Sequence, residues 1–131
     1  MQLERKIYKK IVSDLKKKMV FIVGPRQVGK TWLSKQVMKE YKNPLYLNYD
    51  NSDHREVIRK QAWLPGVDII VFDEIHKMPK WKNYLKGVYD IRPESTHILV
   101  TGSARMDAFK NVGDSLAGRF FAHHLLPFTL A

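Results

Sequence analysis

The sequence of 131 residues contains no cysteine, which excludes disulfide scaffolds, thiolate nucleophiles and cysteine–zinc sites. It also lacks a long apolar run: the run that follows the basic N-terminal region, residues 19–23, stops at a Gly-Pro-Arg sequence. A secretory segment needs about 7–15 apolar residues, and a membrane-spanning helix needs about 20. We therefore expect a soluble cytoplasmic protein without a membrane segment.

Acidic residues are few, with 13 Asp and Glu against 23 Lys and Arg, which gives a formal net charge of +10. This balance favours an anionic partner, such as a nucleotide, a nucleic acid or a membrane surface, without choosing between them. The length corresponds to about one domain. Because 27% of the residues are charged and 44% are hydrophobic, the composition is that of an ordinary globular protein.

Strand patterns alternate with helix patterns along the chain. Leu3, Ile7, Ile11 and Leu15 recur every four residues and predict an amphipathic helix. Further helices are predicted over residues 30–42, over residues 54–62 and around residues 81–88. Strands are predicted over residues 19–23, 45–49, 68–72, 97–101 and 120–126. Because these strand runs are too apolar to have a wet face, they favour an α/β fold with a parallel sheet covered on both sides.

Residues 24–31 form the strongest motif. They read Gly-Pro-Arg-Gln-Val-Gly-Lys-Thr and satisfy the Walker A pattern G-x-x-x-x-G-K-[ST], between a predicted strand and a predicted helix. Glycine lets the backbone approach phosphates closely, and the positive end of the following helix favours an anion. Lys30 is expected to reach the β- and γ-phosphates, and Thr31 to bind Mg²⁺. The predicted nucleotide-binding residues are Gly24, Pro25, Arg26, Gln27, Val28, Gly29, Lys30, Thr31 and Trp32.

An acidic pair follows the predicted strand 68–72. Asp73 is expected to hold Mg²⁺, mostly through water ligands, and Glu74 to polarise the attacking water. The competing interpretation of this pair is an ordinary helix N-cap. The pair also begins a helicase-like D-E-x-H sequence ending at His76, but a translocating helicase of that kind needs two such sheet domains and this chain has room for about one.

Polar residues also end the predicted strand 97–101. If this strand lies between the first and third strands, Thr101 or Ser103 would sit beside the γ-phosphate and orient the water, although a plain turn in which Ser103 caps a helix explains them equally well. Arg119 is a candidate arginine finger, acting at its own site or at a neighbour's. The alternative for Arg119 is a surface arginine or a partner contact.

Four motifs together carry a family resemblance: residues 24–31, 73–81, 100–103 and 115–120. In this order they resemble the predicted prokaryotic ATPases of the AAA+ superfamily, which usually carry a C-terminal winged-helix and restriction-endonuclease-like region. The resemblance implies a P-loop NTPase three-layer sandwich with a five-stranded parallel sheet of order 5-1-4-3-2. It also implies ATP and Mg²⁺ as cofactors, and a sensor residue at Thr101 or Ser103.

The sequence stops at Ala131, where chains of that family continue into a lid. We therefore expect residues 1–131 to form the AAA-type ATPase core without the lid, as a fragment of a longer protein or a truncated gene product. A second copy of the chain or the missing C-terminal domains are the expected protein partners.

Two functional hypotheses follow. The first is a Mg²⁺-dependent ATPase core that hydrolyses ATP by water attack, slowly in isolation; the Glu74 carboxylate beside Asp73 favours hydrolysis over phosphate transfer to another acceptor. The alternative, motivated by the net charge of +10, is a nucleotide-gated module that binds nucleic acid or protein with little intrinsic hydrolysis.

Overall fold

The computed structural model describes residues 2–25, 29–102, 116 and 118–125, with residues 2–5 described by their backbone alone. In chain order its elements are α1 (Gln2–Leu15), β1 (Met19–Val23), α2 (Lys30–Met38), β2 (Pro44–Asn48), α3 (Ser52–Lys60), β3 (Ile69–Asp73), a 3-10 turn (Ile75–Lys77), α4 (Trp81–Ile91), β4 (His97–Gly102) and β5 (Phe120–His124). None of the helices in these ranges has the length and apolarity needed to cross a membrane.

The strands form one parallel five-stranded sheet in the order β2-β3-β4-β1-β5. This is the order 5-1-4-3-2 viewed from the other edge, so the predicted fold class is confirmed. Strand β4 lies between β1 and β3, as expected if its polar end is to stand beside the phosphate loop. Because all strands run the same way, β1, β3 and β4 end on the same side of the sheet. We call this side, formed by the C-terminal ends of the strands, the carboxyl edge, as distinct from the edge strands β2 and β5.

Helices cover both faces of the sheet, which explains why the central strands have no polar face. On one face, alternate strand residues such as Val20 and Val71 pack with residues of α1 and α2, including Ile11 and Leu33. On the other face, the intervening strand residues pack with Ile58 of α3 and with Leu85 and Val88 of α4. Strands β1, β2, β3 and β4 therefore each contribute residues to both apolar clusters.

Helix α2 is shorter than its sequence pattern predicts, since it ends at Met38 instead of near residue 42. Beyond that point each backbone N–H bonds to the carbonyl three residues earlier, as in Glu40 N to Val37 O at 3.0 Å, which tightens the last turn. Pro44 is the first residue of β2. A proline is tolerated there because β2 is an edge strand that need not donate on its outer side.

Asp68 precedes β3 instead of belonging to it, which corrects the predicted strand 68–72. Its carboxylate accepts hydrogen bonds from the backbone N–H groups of Lys42 and Asn43, both at 2.9 Å. A charged side chain thus fixes the start of β2 against the start of β3. The 3-10 turn after β3 has no counterpart among the predicted elements.

Candidate nucleotide-binding site

The loop between β1 and α2 begins at the carboxyl edge of the sheet. Gly24 is buried directly after β1, and its N–H donates to Gly102 O of β4 at 3.3 Å. Gly29 ends the loop at φ 90 and ψ 18, a left-handed conformation that glycine adopts without steric cost. Arg26, Gln27 and Val28 lie outside the described residues. The described ends of the loop therefore frame the N-terminus of α2, where backbone N–H groups and the helix dipole favour an anion.

Lys30 spans the ends of two adjacent strands. Its Nζ donates to Gly24 O at 2.6 Å and to Gly102 O at 2.8 Å, so the ammonium lies over the junction of β1 and β4. Both acceptors are neutral carbonyls. Phosphate oxygens are stronger acceptors because they are charged, so an incoming phosphate can compete for this ammonium.

Asp73, the last residue of β3, is buried, with 8% of its surface exposed. Thr101 lies opposite it in register on β4 and donates its hydroxyl to Asp73 Oδ1 at 2.8 Å. The hydroxyl of Tyr46 on β2 donates to Asp73 Oδ2. Both carboxylate oxygens are therefore held by hydroxyl groups from the strands on either side. Buried carboxylates need such donors, and an aspartate so fixed is a suitable ligand for a hard cation.

Glu74 leaves the strand direction immediately after Asp73. It takes a left-handed conformation at φ 60, and its N–H donates to Thr101 O at 3.1 Å. Its carboxylate lies 3.4 Å from His76 Nε2 and 3.6 Å from Lys77 Nζ. Lys77 Nζ also donates to both oxygens of Asp50, at 2.8 Å and 2.9 Å. Glu74 is thus held beside an ion pair that links the 3-10 turn to the turn between β2 and α3.

His76 is half-buried and lies beside Glu74. Burial lowers the pKa of His76; the Glu74 carboxylate opposes that effect, and the Lys77 and Lys30 ammonium groups add to it. The influence of Lys30 shows that His76 lies within electrostatic reach of the loop lysine. The neutral imidazole is therefore favoured next to the acidic pair.

Thr31 and Trp32, on the first turn of α2, are both exposed, Trp32 with 51% of its surface. Pro25 is exposed at the start of the loop. The carboxyl edge therefore brings together the described loop residues, Lys30, Asp73, Glu74 and Thr101. Ser103 lies outside the described residues.

Arg119 does not join this group. It precedes β5, and its carbonyl accepts from Met19 N at the start of β1, 3.1 Å away, so it lies at the opposite edge of the sheet. The length of β1, about 13 Å at roughly 3.3 Å per residue, separates that edge from the phosphate loop. Its guanidinium donates to Asp90 Oδ1 at 2.9 Å and to Oδ2 at 3.2 Å, and this contact lowers the pKa of Asp90. An arginine finger acting at its own site is incompatible with this position.

Sequence reasoning missed three contributors to the site: Tyr46, Asp50 and Lys77. The sequence held a partial signal for Lys77, because it stands one helical turn after Glu74. The contacts of Tyr46 with Asp73 and of Asp50 with Lys77 each join residues 27 positions apart. Such contacts depend on which strands are neighbours, which a local pattern does not reveal.

Curated relatives share the sequence of this domain over a part of their own length. Uncharacterized protein MJ1544 of Methanocaldococcus jannaschii is 25% identical over 120 residues, covering 84% of this chain and 26% of that protein. Uncharacterized proteins Mb2031c of Mycobacterium bovis and Rv2008c of Mycobacterium tuberculosis are each 30% identical over 102 residues, covering 77% of this chain and 23% of theirs. The chain thus spans about a quarter of the length of these relatives.

Two solved structures are similar in fold. A structure of two coordinating Pif1 helicases unwinding forked dsDNA matches with a TM-score of 0.58 and 13% identity, over 96% of this chain and 43% of that one. Bacteroides Pif1 bound to ssDNA matches with a TM-score of 0.53 and 14% identity, over 91% and 41%. At such identities the likeness shows a shared fold and carries no function across.

A family model described as an AAA domain matches residues 16–131, which includes every strand of the sheet and all the residues gathered at its carboxyl edge. The parallel sheet, the glycine-flanked lysine and the buried aspartate agree with that match. The chain belongs to the AAA domain family and forms a P-loop NTPase domain.

Proposed function

We propose that this chain is an ATP-binding, Mg²⁺-dependent ATPase core that hydrolyses ATP by water attack and works slowly in isolation. The observation that carries the proposal is the meeting of Lys30, Asp73 and Glu74 at one edge of the sheet, through hydrogen bonds to the end of β4. A cation for phosphate, a buried carboxylate for a metal and a second carboxylate for water are the parts that phosphoryl transfer to water requires.

Phosphate binding falls to the loop and to Lys30. The N-terminus of α2 supplies backbone N–H groups and a positive field toward the anion. Lys30 would exchange its two carbonyl acceptors, on Gly24 and Gly102, for β- and γ-phosphate oxygens. Because these carbonyls end β1 and β4, nucleotide binding would release a contact between two strand ends.

Thr31 and Asp73 form the donor set that fits Mg²⁺, since both offer oxygen atoms and Asp73 is buried and oriented by neighbouring hydroxyl groups. Bound there, Mg²⁺ would offset the negative charge that builds up on the β- and γ-phosphates. Thr101 is suited to the sensor role because its hydroxyl contacts Asp73 and its carbonyl holds the Glu74 backbone. A movement of β4 at Thr101 would therefore shift both Asp73 and Glu74.

Glu74 is the proposed general base, which accepts a proton from the attacking water. Its present neighbours, Lys77 and His76, compete for the same carboxylate. The position of Arg119 at the far edge leaves the chain's own site without that guanidinium. Both features support slow hydrolysis by the chain alone, with a neighbouring copy or further domains as the expected partners.

Two substitutions test this proposal. Lys30→Ala is expected to abolish ATP binding in isothermal titration calorimetry, because it removes the only side-chain cation of the described loop, whereas the exposed Lys39→Ala is the matched control and should bind as wild type. Glu74→Gln is expected to keep ATP binding and to lose phosphate release by at least about a hundredfold, the usual scale for a general base. Glu56→Gln on α3 is its control.

For each of these two substitutions, one outcome would contradict the proposal. Tight ATP binding by Lys30→Ala would show that the loop is not the nucleotide site. Equal rates of phosphate release for wild type and Glu74→Gln would exclude water activation by Glu74, and the hydrolysis proposal would fail even if binding persisted.

A further inference from the structure

Tyr46 is the residue through which β2 reaches the site, because its hydroxyl contacts the buried Asp73 carboxylate. It stands on β2, in register with Val71, and reaches along the sheet to Asp73 Oδ2, two residues further on β3. The same hydroxyl lies 3.4 Å from Asn48 Nδ2, which can donate to it. The phenol thus accepts from one side chain and donates to another.

The hydroxyl of Tyr46 completes a two-sided support for Asp73. Thr101 holds Oδ1 from β4, and Tyr46 holds Oδ2 from β2, so the plane of the carboxylate is fixed between its two neighbouring strands. Each carboxylate oxygen offers more than one lone pair, so these bonds leave acceptor capacity for further ligands. Hydrogen bonds to charged groups are stronger than those between neutral groups, so these two bonds orient the carboxylate.

The ring of Tyr46 is itself held in place. It packs against the apolar cluster on the α2 side of the sheet, and Lys35 Nζ of α2 lies 5.9 Å from the ring centroid. Burial and the hydrogen bond to Asp73 both raise the pKa of Tyr46, so the phenol stays protonated and remains a donor. The donor is therefore oriented by packing that does not involve the nucleotide loop.

We propose that Tyr46 is a positioning residue for the magnesium site, holding the Asp73 carboxylate in the orientation in which it serves the metal. This inference rests on the proposed function, since it assigns Tyr46 to the same site. The ring and the hydroxyl of Tyr46 have different roles: the ring stabilises the fold, whereas the hydroxyl acts through Asp73.

Tyr46→Phe separates these two contributions because it keeps the ring and removes the hydroxyl. Tyr41→Phe is the matched control: Tyr41 is also half-buried and also bonds a side chain, His97 Nδ1 at 2.6 Å, but at the edge of the sheet away from the loop. Far-UV circular dichroism and thermal unfolding of both variants establish that each is folded under the conditions of the assay.

The measurement is the affinity for ADP by calorimetry, with Mg²⁺ and again with EDTA. In wild type and in Tyr41→Phe, we expect Mg²⁺ to tighten binding. In Tyr46→Phe, we expect that tightening to shrink by about tenfold, the scale of one hydrogen bond to a charged group, while the affinity in EDTA is unchanged. An unaltered Mg²⁺ effect in Tyr46→Phe would overturn the role of Tyr46 and leave the proposed function standing. A wild type that binds ADP equally well with and without Mg²⁺ would overturn both.

A double-mutant cycle tests the route of the effect. In an Asp73→Asn background, Tyr46→Phe should no longer change the Mg²⁺ effect, because the carboxylate through which it acts is gone. An equal loss on both backgrounds would mean that the hydroxyl acts elsewhere, and would overturn the proposal even if the single substitution behaved as expected.

Discussion

At the scale of single residues, two lysines hold the site in different ways. Lys30 donates to the carbonyls that end β1 and β4, which a phosphate can replace. Lys77 Nζ bonds both oxygens of Asp50 and lies 3.6 Å from the Glu74 carboxylate, so it joins Glu74 to the turn between β2 and α3. Lys30 is thus held by the backbone of two strands, whereas Lys77 tethers Glu74, the proposed base.

His97 shows how burial sets a charge state far from the loop. A hydrogen bond of 2.6 Å joins its Nδ1 to the Tyr41 hydroxyl, and the two rings meet edge to face. Burial lowers the pKa of His97 below its ordinary value of 6.5; Arg92 and Lys16 act in the same direction, and Asp68 opposes them. Folding therefore favours the neutral imidazole, whose Nδ1 can accept the bond from Tyr41.

The sign of the resulting pH dependence is fixed. Because the folded pKa lies below the unfolded one, the unfolded state binds more protons, and the stabilisation present above about pH 6.5 is lost as the pH falls. We expect the melting temperature of the wild type to fall between about pH 8 and about pH 5, and to fall less steeply in His97→Gln. Burial lowers the pKa of His76 as well, so part of the slope remains. Thermal unfolding by circular dichroism at several pH values measures this; identical slopes would contradict the assignment to His97.

At the scale of elements, β2 is an edge strand of the sheet, and α3 protects its outer side. Exposed edge strands invite pairing with other chains, and proteins block them with proline and with side-chain contacts. Pro44 begins β2 and has no N–H to offer, while the N–H of Asn48 donates to His54 Nδ1 of α3 at 2.9 Å. Helix α3 therefore packs against the face of the sheet through Ile58 and also covers the outer side of β2, the strand that carries Tyr46.

The start of α3 depends on Asn51. Its side chain accepts from Asp53 N at 2.9 Å and His54 N at 3.1 Å, which makes it the N-cap. We expect Asn51→Ala to destabilise the protein by about 1 kcal/mol, because two helical N–H groups lose their acceptor. Asn51→Ser should restore most of that loss, since serine caps nearly as well. Urea denaturation measures the difference; equal stability of the alanine and wild-type proteins would show that α3 needs no cap.

At the scale of the whole molecule, basic groups are distributed between the two edges of the sheet. Lys30 serves the carboxyl edge, whereas the exposed Lys16, Lys17 and Lys42 precede strands at the opposite edge. The net charge of +10 is therefore only partly explained by a nucleotide site. Arg119 also lies at that far edge, where its ion pair with Asp90 ties β5 to the end of α4.

The position of Arg119 gives a prediction about assembly. At concentrations where analytical ultracentrifugation finds monomers, Arg119→Ala should release phosphate at the wild-type rate within about twofold. Removal of an arginine finger that acts in catalysis would instead lower kcat by a factor of about 10³–10⁵. If Arg119 serves a neighbour's site, the wild-type rate per chain will rise with concentration and that of the variant will not.

Mixing variants separates the two sites. Glu74→Gln retains Arg119, and Arg119→Ala retains Glu74. If Arg119 serves a neighbour's site, their mixture will regain activity at concentrations where chains associate, and otherwise it will not. A large loss of rate in dilute Arg119→Ala would contradict the geometry derived from β5 and β1.

Local sequence patterns were sufficient to predict the α/β class and the strand positions to within a residue or two, and they singled out the loop, its lysine and the acidic pair as candidates. These follow from local chemistry: apolar runs need burial on both faces, and glycine and lysine at fixed spacing suit phosphate. Strand order was available only through the family resemblance. The ends of α2 and β3 were misjudged because turn hydrogen bonds and the Asp68 contact override local propensity.

Which side chains meet at the site could be read only from the folded sheet. The bond from Tyr46 to Asp73 spans 27 positions, that from Thr101 to Asp73 spans 28, and that from Lys30 to Gly102 spans 72. The same sheet places Arg119 beside the start of β1, at the end of the strands opposite the phosphate loop, and not at the position predicted for an arginine finger. Residue types and their spacing are local properties, whereas strand order and register result from burying the whole sheet at once, and these set the distances between distant residues.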